Sequence, residues 1–374
     1  MSSSSEIRLA IVGLGNCAST LVQGLSHYRR HPDDTTGLMR PKVANLAVGD
    51  IHLACAFDVD ARKIGRPVAE AIFAPPNNSR IFCRDPEDDG AKVYAGPVSD
   101  GLASHLGEFG EDRRAVLDSQ PRRTTPAEVV KILKESGATV LVNYLPVGSQ
   151  QATEMYAQCC LEAGLAMLNC IPVFIASNPE WAQKFQNAGL PIIGDDIKSQ
   201  FGATITHRVL MALAEKRGIT IDTSYQLNVG GNTDFLNMLE KGRLASKKIS
   251  KTEAVTSQVH QKQMDQTNIH IGPSDYVAFL NDNKVCYLRM NLRGFGGLPM
   301  ELDMKLSVED SPNSAGVVVD AVRCLALARR HHLGGPIAAA SAFLMKHPAR
   351  QMEDDAAREA MDRWIAEQGT GIQV

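Results

Sequence analysis

The sequence lacks the features that define several large classes of protein. It contains no run of about 18 consecutive apolar residues, the length that suggests a membrane-spanning helix. It has no basic excess, because 39 lysines and arginines are balanced by 42 aspartates and glutamates, and proteins that bind nucleic acid normally carry a basic face or a basic excess. Internal repeats and low-complexity tracts are also absent. We therefore expect neither a membrane protein nor a nucleic-acid partner.

Cysteine and histidine are present, but not in the patterns of a disulfide-rich or metal-binding protein. The eight cysteines lie mostly inside apolar runs, and no pair has the spacing of a disulfide framework or a zinc site. We expect them to be buried, reduced thiols. The ten histidines form no ligand cluster. His331 and His332 are interpreted as the end of a helix, where a positive or polar group suits the helix dipole.

Length and composition instead fit an ordinary globular protein. Apolar residues make up 44% and charged residues 22% of the sequence, which is typical of soluble globular chains. A length of 374 residues suits two domains, or one domain with a large insertion. The polar stretch from Met1 to Glu6 leads straight into an apolar strand without a removable apolar segment. We therefore expect a mature N-terminus and a cytoplasmic protein.

Apolar strands alternate with amphipathic helices in the first half of the chain. The predicted strands are Ile7 to Val12, Ile51 to Phe57, Thr139 to Tyr144, Ala166 to Asn169 and Pro191 to Ile193, and the predicted helices are Asn16 to Tyr28, Pro126 to Glu135, Gln150 to Ala163 and Pro179 to Ala188. This alternation predicts parallel strands with right-handed crossovers, and hence a doubly wound α/β sheet. Residues 29 to 50 are expected to form a surface excursion, and residues 74 to 125 are too irregular to predict.

The pattern changes after about residue 200. A helix is predicted from Ala203 to Glu215, followed by strand-like runs at Ile219 to Val229, Val285 to Leu292 and Met300 to Val308. These runs predict an antiparallel or mixed sheet with helical cover. Two later helices, Ala315 to Arg330 and Asp354 to Glu367, are expected to return to the first sheet. We therefore predict one domain from residues 1–199 and 311–374, with an inserted α+β domain at 200–310.

A glycine-rich turn follows the first strand and matches the dinucleotide fingerprint G-x-G-x-x-A. The turn reads Gly13-Leu14-Gly15-Asn16-Cys17-Ala18. Gly13 permits the tight turn, Gly15 lets the backbone approach a pyrophosphate, and Ala18 lets the helix pack on the strand. Asp58 ends the second strand and could accept hydrogen bonds from an adenosine ribose, which favours NAD over NADP.

These residues predict an NAD-binding Rossmann domain. The alternative is a Rossmann-like domain without a dinucleotide, since the gap from Gly13 to Asp58 exceeds the usual ~20 residues. We assign the excess to the excursion at residues 29 to 50. Asn16 and Cys17, inside the turn, are counted with the candidate cofactor contacts.

Two further turns follow predicted strands, where ligands bind in open parallel sheets. The turn after the third strand contains Tyr144 and Pro146, which we count as candidate cofactor contacts. The later turn contains two carboxylates, an amine and a hydroxyl, on Asp195, Asp196, Lys198 and Ser199. We interpret this second cluster as functional; the alternative is a helix cap by Asp196 or Ser199 together with a surface ion pair.

Four motifs in order resemble the myo-inositol-1-phosphate synthase family in its short bacterial form. They are Gly194-Asp195-Asp196-Ile197-Lys198-Ser199, Leu227-Asn228-Val229-Gly230-Gly231-Asn232-Thr233-Asp234, Ser246-Lys247-Lys248-Ile249-Ser250-Lys251 and Asp310-Ser311-Pro312-Asn313-Ser314-Ala315. The likeness runs from about Glu6 to Pro348. It implies an isomerase that converts D-glucose 6-phosphate to 1L-myo-inositol 1-phosphate, with NAD as a recycled cofactor and an inserted domain for catalysis and oligomerisation.

The family's reaction, as the resemblance implies it, is an internal redox cyclisation. A hydroxyl next to the phosphate-bearing carbon is oxidised, the neighbouring C–H loses a proton, the resulting carbanion attacks the sugar's carbonyl, and the hydride returns. Such a site needs a phosphate grip, a base, and cations that hold the enolate and the aldol oxyanion.

The resemblance also implies which residues form this site. The family's active-site lysines correspond by motif to Lys247, Lys251, Lys284 and Lys346, with Asp196 and Asp310 as carboxylate partners. Contacts to cofactor or substrate are implied for Ser199, Asn232 and Asp234, and Lys198 and Lys247 are counted with the substrate contacts. A lysine of ordinary pKa, about 10.4, is a poor base at neutral pH. Neighbouring cations and an oxidised nicotinamide are expected to lower that pKa.

Several alternatives stay open. Family members differ in whether they use a divalent metal ion; Asp196 and the nicotinamide phosphate could share one, but the sequence has no dedicated ligand set. The resemblance implies a homotetramer through the second domain. A related synthase that closes fructose 6-phosphate to a five-membered ring would keep NAD and the lysines, and would differ first near Cys170, Ile171 and Thr233. A dehydrogenase releasing NADH and a non-catalytic NAD sensor are further alternatives, against which the retained lysine and carboxylate set argues.

Overall fold

The structure is a computed structural model that describes residues 6–118, 124–240, 242, 249–250, 253–255, 257 and 266–370. Its helices are α1 (Asn16–Arg30), α2 (Val68–Ala71), α3 (Pro126–Glu135), α4 (Gln150–Ala163), α5 (Pro179–Asn187), α6 (Ala203–Lys216), α7 (Thr233–Asn237), α8 (Asp310–Arg330), α9 (Ala338–Leu344) and α10 (Asp354–Thr370). Its strands are β1 (Ile7–Val12), β2 (Lys42–Val43), β3 (Leu46–Ala47), β4 (Ile51–Asp58), β5 (Val93–Ala95), β6 (Val140–Asn143), β7 (Ala166–Asn169), β8 (Pro191–Ile193), β9 (Thr220–Gly230), β10 (Ile269–Tyr276), β11 (Asn283–Arg293), β12 (Pro299–Glu309) and β13 (Gly335–Pro336).

The larger sheet contains seven parallel strands in the order β13-β8-β7-β6-β1-β4-β5. Every residue of β6 and β7 is buried, as expected for strands that are covered on both faces. The strand order reverses at β1, which lies between β4 and β6. A crevice therefore opens beyond the carboxyl ends of these strands, where ligands bind in doubly wound sheets. The predicted doubly wound α/β fold class is confirmed.

Helix α8 completes the core of this sheet from a distant part of the chain. Fifteen of its residues are buried, and it packs against α1, β7 and β8. The predicted return of a helix to the first sheet is therefore confirmed, but the helix begins at Asp310 and not at Ala315. Pro312 does not prevent the earlier start, because N–H groups in the first helical turn have no intrahelical partner.

A buried arginine on α8 holds the excursion at residues 29 to 50. Arg323 pairs with Asp320 and donates hydrogen bonds to the carbonyls of Arg40, Pro41 and Leu46. Between α1 and β4 the excursion contains the short strand pair β2–β3 and one 3-10 turn at Val48–Asp50. Part of its backbone is therefore held by a side chain that lies almost 300 residues further along the chain.

The smaller sheet has the order β10-β9-β11-β12. Strand β10 is parallel to β9, and the other two pairs are antiparallel, as predicted for a mixed sheet. Apolar side chains on one face pack with Met211 of α6, and they include Ile271, Cys286, Leu288 and Met290. The division of the chain into domains at residues 199/200 and 310/311 stays a prediction.

The cysteines are free thiols, as expected; seven are buried and Cys17 is half-buried. In the described ranges, no helix combines the length and the apolar composition that a bilayer crossing requires.

Candidate active site

A single cleft lies between the carboxyl ends of the large sheet and the turns of the small one. It brings together most of the predicted site residues: Gly13, Gly15, Asn16, Cys17, Asp58, Tyr144, Pro146, Asp196, Ser199, Asn232, Asp234, Lys284, Asp310 and Lys346 line it. Cys170, Ile171 and Thr233, the positions singled out for substrate discrimination, also line it. Two predicted catalytic lysines, Lys247 and Lys251, lie outside the described residues.

The two glycines of the glycine-rich turn are needed for different reasons. Gly13 has a φ of +83°, and a Cβ at this position would lie 2.7 Å from the carbonyl oxygen of Tyr144. The protein itself therefore requires glycine at position 13. A Cβ on Gly15 would meet no protein atom within 4 Å. Ala18 is fully buried beneath the turn in the core, as predicted for packing of the helix on the strand.

Asp58 supports the same turn from the end of β4. Its Oδ2 accepts a hydrogen bond from the Leu14 N–H at 2.7 Å, and its Oδ1 accepts one from the Asp60 N–H at 2.9 Å. Sequence reasoning missed Lys63, whose buried amine donates to the Leu14 carbonyl at 2.7 Å and lies 3.8 Å from Asp58 Oδ2. Nothing in the sequence around Lys63 distinguishes it from a surface lysine.

Asn16 and Cys17 are held by protein groups at the start of α1. The side-chain nitrogen of Asn16 donates to Asn78 Oδ1 at 2.7 Å and to Asp282 Oδ1 at 3.0 Å. The Cys17 thiol lies 3.7 Å from Ser311 Oγ. Burial raises the pKa of Cys17 to about 12, with a further contribution from nearby carboxylates. Cys17 is therefore a neutral thiol at the floor of the cleft.

Lys284 and Asp310 form an ion pair that joins β11 to the start of α8. The Lys284 Nζ lies 2.9 Å from Asp310 Oδ1. Burial works to lower the pKa of Lys284, but the carboxylates of Asp310 and Asp234 outweigh it, and the net shift is upward. Among the described residues, its nearest charged partners are therefore carboxylates. The lowering of a lysine pKa by further cations and an oxidised nicotinamide stays a prediction.

Lys346 and Asp196 form a second ion pair in the cleft. Lys346 Nζ lies 2.7 Å from Asp196 Oδ1, and the buried Ser250 hydroxyl donates to Asp196 Oδ2 at 2.7 Å. Asp196 has a φ of +61°, a left-handed conformation that aspartate adopts more readily than most residues. Sequence reasoning missed Ser250, although it lies inside one of the family-like motifs.

Two other side chains of the predicted Gly194–Ser199 cluster point elsewhere. Asp195 is fully buried and accepts hydrogen bonds from the side chains of Asn169 and Ser177 and from three backbone N–H groups at residues 175–177. The Lys198 amine donates to the Ala342 carbonyl at 3.0 Å and lies 3.3 Å from Asp354 Oδ1. Burial first, and the nearby Arg208 second, lower the pKa of Lys198 to about 7.

The prediction of Lys198 as a substrate contact is therefore wrong, because its side chain is buried beneath α9 and does not line the cleft. The alternative of a helix cap is wrong as well, since α6 begins at Ala203 after Gly202. The sequence of this turn does not show which side chains face the cleft and which face the core.

Asn232 and Tyr144 border the cleft in different ways. Asn232 Oδ1 caps α7 by accepting hydrogen bonds from the N–H groups of Asp234 and Phe235, and its amide nitrogen donates to Asp282 Oδ1 at 3.1 Å. The Tyr144 hydroxyl is buried and has no hydrogen-bond partner among the described residues. Burial raises the pKa of Tyr144 well above its ordinary value. Its hydroxyl is therefore a neutral group that is free to bind a ligand.

The described residues contain no group of three or more histidine, cysteine, aspartate or glutamate side chains with the arrangement of a metal site. A divalent metal ion in this site stays a prediction.

The fold and the cleft define an α/β enzyme of the Rossmann class, with a glycine-rich turn and paired lysines and carboxylates in one site. Residues 202–311 match the profile of the family described as Myo-inositol-1-phosphate synthase. The Inositol-3-phosphate synthase of Mycolicibacterium smegmatis is 53% identical over 365 residues, which cover 96% of this chain and 98% of that protein.

Two further comparisons agree. The Inositol-3-phosphate synthase of Corynebacterium glutamicum is 50% identical over 371 residues, covering 98% of this chain and 99% of that protein. The crystal structure of Ari2 has a TM-score of 0.78 and 35% identity, covering 97% of this chain and 99% of that one. The chain belongs to the myo-inositol-1-phosphate synthase family, as its motifs predicted.

Proposed function

We propose that this enzyme converts D-glucose 6-phosphate to 1L-myo-inositol 1-phosphate, with NAD oxidising and then re-reducing the sugar within one turnover. The observation that carries the proposal is the presence of two lysine–carboxylate pairs, Lys284–Asp310 and Lys346–Asp196, in the cleft that also contains the glycine-rich turn. Near full-length similarity to two bacterial inositol-3-phosphate synthases supports the choice of substrate.

Three features of the cleft fit NAD. Gly15 lines the cleft with no protein atom near its missing side chain, which suits close approach of a pyrophosphate. Asp58 lines the cleft at the end of β4, where an acidic residue can accept hydrogen bonds from a ribose. The buried hydroxyl of Tyr144 lacks a described protein partner. When bound, NAD supplies the acceptor and the donor of the hydride.

Lys284 suits the role of a cation better than the role of a base. Its pKa is raised, so its amine is protonated at neutral pH. A protonated amine in a buried cleft stabilises the negative charge that develops on a sugar oxygen during enolisation and ring closure. Asp310 holds the amine in place at 2.9 Å. We therefore propose that Lys284 contacts the sugar oxygens.

Lys346 is the second cation-bearing group of the site. Asp196 accepts hydrogen bonds from both Lys346 and Ser250, so the amine has a fixed direction. The proton removed from the C–H next to the phosphate is the one that the aldol oxygen needs after ring closure. One group that accepts this proton and then returns it keeps the reaction balanced. We propose that the Lys346 amine lies close to the carbon and the oxygen between which this proton moves.

The remaining contacts are proposed from the motifs. Lys247 and Lys251 flank Ser250 in the sequence, and we propose that they bind the substrate phosphate and its oxygens. Ser199, Asn232 and Asp234 complete the proposed contacts. We also propose a homotetramer, which would cover apolar side chains in the turn between β11 and β12, such as Phe295 and Leu298, which are exposed by 100% and 69%.

Product analysis tests the function. The purified protein and a catalytic amount of NAD are incubated separately with glucose 6-phosphate and with fructose 6-phosphate, and products are identified by phosphorus NMR and mass spectrometry. Inositol phosphate from the aldose, without net NADH, is the expected result. A cyclitol phosphate formed only from the ketose would keep the chemistry and overturn the substrate. No product from either sugar would overturn both and favour an NAD-binding sensor.

A further inference from the structure

Asp282 is a buried carboxylate at which three segments of the site meet. It lies two residues before Lys284 and is 1% exposed. Its Oδ1 accepts hydrogen bonds from Asn16 Nδ2 at 3.0 Å, from Asn232 Nδ2 at 3.1 Å and from Ser311 Oγ at 2.8 Å. Its Oδ2 accepts one from the Ser311 N–H at 3.1 Å. Asp282 thus accepts hydrogen bonds from the glycine-rich turn, from the start of α7 and from the start of α8.

All of these partners are donors, and their directions are fixed by other bonds. The side-chain oxygen of Asn16 already accepts from the N–H groups of Asn78 and Ser79, so its nitrogen must face Asp282. The side-chain oxygen of Asn232 already caps α7. An ionised carboxylate accepts about four hydrogen bonds and donates none. No neutral side chain of the same size satisfies this set of donors.

The surroundings of Asp282 disfavour the negative charge of its carboxylate. Burial, and then the negative charge of Asp310, raise the pKa of Asp282 to about 6. The titratable groups that face it are Asp310 on α8 and the Cys17 thiol on α1. Lys284, two residues further on in β11, pairs with Asp310. The four hydrogen bonds offset part of this penalty, because an ionised carboxylate accepts all of them, whereas a protonated one turns an O–H group toward donors.

We infer that Asp282 is a positioning residue, whose carboxylate locks the glycine-rich turn and the starts of α7 and α8 into one arrangement. The link to the chemistry is direct, because Ser311 follows Asp310 and Lys284 follows Asp282 by two residues. Asp282 thereby fixes the Lys284–Asp310 pair relative to a dinucleotide bound at the turn. This inference rests on the proposed function, since it assigns that bound dinucleotide and that reaction.

The test compares Asp282→Asn with Asp275→Asn, the same change at an exposed site on β10. An asparagine at 282 turns an N–H₂ group toward donors and so breaks the arrangement. We expect kcat to fall about 100-fold, the size expected when reacting groups are misplaced by about 1 Å. We expect the Kd for NAD to rise about 10-fold, as for loss of one hydrogen bond of about 1.4 kcal/mol. Asp275→Asn should match the wild type in both.

A pH profile separates positioning from a general loss of structure. Ser311→Ala removes one donor and leaves the carboxylate, and because the Ser311 hydroxyl lowers the pKa of Asp282, its loss should move the acid limb of kcat to higher pH. In Asp282→Asn the acid limb near pH 6 should disappear. An unmoved limb in Ser311→Ala, or an Asp282→Asn enzyme within about threefold of the wild-type kcat, overturns the inference.

The two proposals fail in different ways. A wild-type protein that forms no inositol phosphate overturns the proposed function. In that case the Kd for NAD of the same variants, measured by calorimetry from about pH 5 to about pH 9, decides the inference. Equal affinity in wild type and Asp282→Asn throughout that range overturns it, and a loss of affinity confined to Asp282→Asn and Ser311→Ala supports it. An unfolded Asp282→Asn leaves the decision to Ser311→Ala.

Discussion

Lys346 contacts Asp196 twice, through both its side chain and its main chain. Its Nζ lies 2.7 Å from Asp196 Oδ1, and its backbone N–H donates to the Asp196 carbonyl at 2.7 Å. The backbone bond fixes the point from which the amine extends, which reduces the side-chain entropy lost when the ion pair forms. The two residues are 150 positions apart, so this pair also ties the end of the Rossmann sheet to the chain beyond α9.

Asp196→Asn should therefore lower kcat strongly and change the stability of the fold little. The amide keeps the shape of the carboxylate and the backbone bond, but it removes the charge that holds Lys346. We expect kcat to fall by about 100-fold with a melting temperature close to that of the wild type. Ser250→Ala, which removes the other hydrogen bond to Asp196, should lower kcat by a smaller factor. A wild-type kcat in Asp196→Asn would exclude this pair from catalysis.

Lys284→Ala should abolish turnover and leave NAD binding intact. The amine that we assign to the sugar oxygens is lost, whereas the glycine-rich turn keeps its contacts. We expect kcat to fall by at least about 1000-fold, in the range seen when an oxyanion donor is removed, and the Kd for NAD to change by less than about threefold. The control is Lys305→Ala, an exposed lysine on β12. Unchanged turnover in Lys284→Ala would contradict the site assignment.

Gly13→Ala and Gly15→Ala should give opposite results. At position 13 the new Cβ meets the Tyr144 carbonyl at 2.7 Å in a left-handed conformation, so the free energy of unfolding should fall by about 1–3 kcal/mol or more. At position 15 the Cβ meets no protein atom within 4 Å, so stability should hold while the affinity for NAD falls. Chemical unfolding and calorimetric NAD titration measure the two effects. An undiminished NAD affinity in Gly15→Ala would argue against a pyrophosphate at this turn.

Lys198→Met tests the correction to the predicted substrate contacts. We expect kcat and KM within about threefold of the wild type, because the side chain does not line the cleft. The pKa of Lys198 in the fold, about 7, is below its ordinary value of 10.5. Between these values the unfolded chain binds a proton that the folded chain does not, so the Lys198 contribution to wild-type stability rises with pH.

Urea unfolding at about pH 7.5 and about pH 9.5 measures this contribution. The difference in free energy of unfolding, wild type minus Lys198→Met, should increase with pH. The matched control is Lys216→Met, since Lys216 pairs with Glu353 and Asp355 but is 57% exposed; it measures the effect of losing a surface lysine at the same two pH values. A large loss of turnover in Lys198→Met would contradict this correction and support Lys198 as a substrate contact.

The sequence was sufficient for five of the seven parallel strands, because β1, β4, β6, β7 and β8 are apolar runs between helices, and burial on both faces produces that pattern. It missed β5 and β13, which are only three and two residues long. It was not sufficient for β10, since Gly272 and Pro273 interrupt that strand and weaken its strand signal. It also placed the start of α8 too late, because Pro312 resembles a helix breaker unless it is known to lie in the first turn.

The site residues that lie within recognisable motifs could be predicted from the sequence. The resemblance of its motifs to those of the family identified Lys284 and Lys346, two ion-paired lysines of the described cleft. It could not give the direction of each side chain, so Lys198 was placed in the cleft although it faces Asp354. It also missed Asp282 and Lys63, whose importance comes from partners far away in the sequence. Contacts of this kind are a property of tertiary packing and leave no local pattern.

Helix α8 has a consequence for how the enzyme is made. Its first residues, Asp310 and Ser311, border the cleft, and its remaining length fills the core beneath strands that were synthesised more than 100 residues earlier. Domains usually begin to fold as they leave the ribosome. Here the sheet that leaves first cannot bury its apolar face until residue 330 has been added. A nascent chain that stops short of α8 therefore has neither a finished core nor a finished active site, and the last residues of both, such as Met361 in the core and Lys346 in the cleft, are added only after α8.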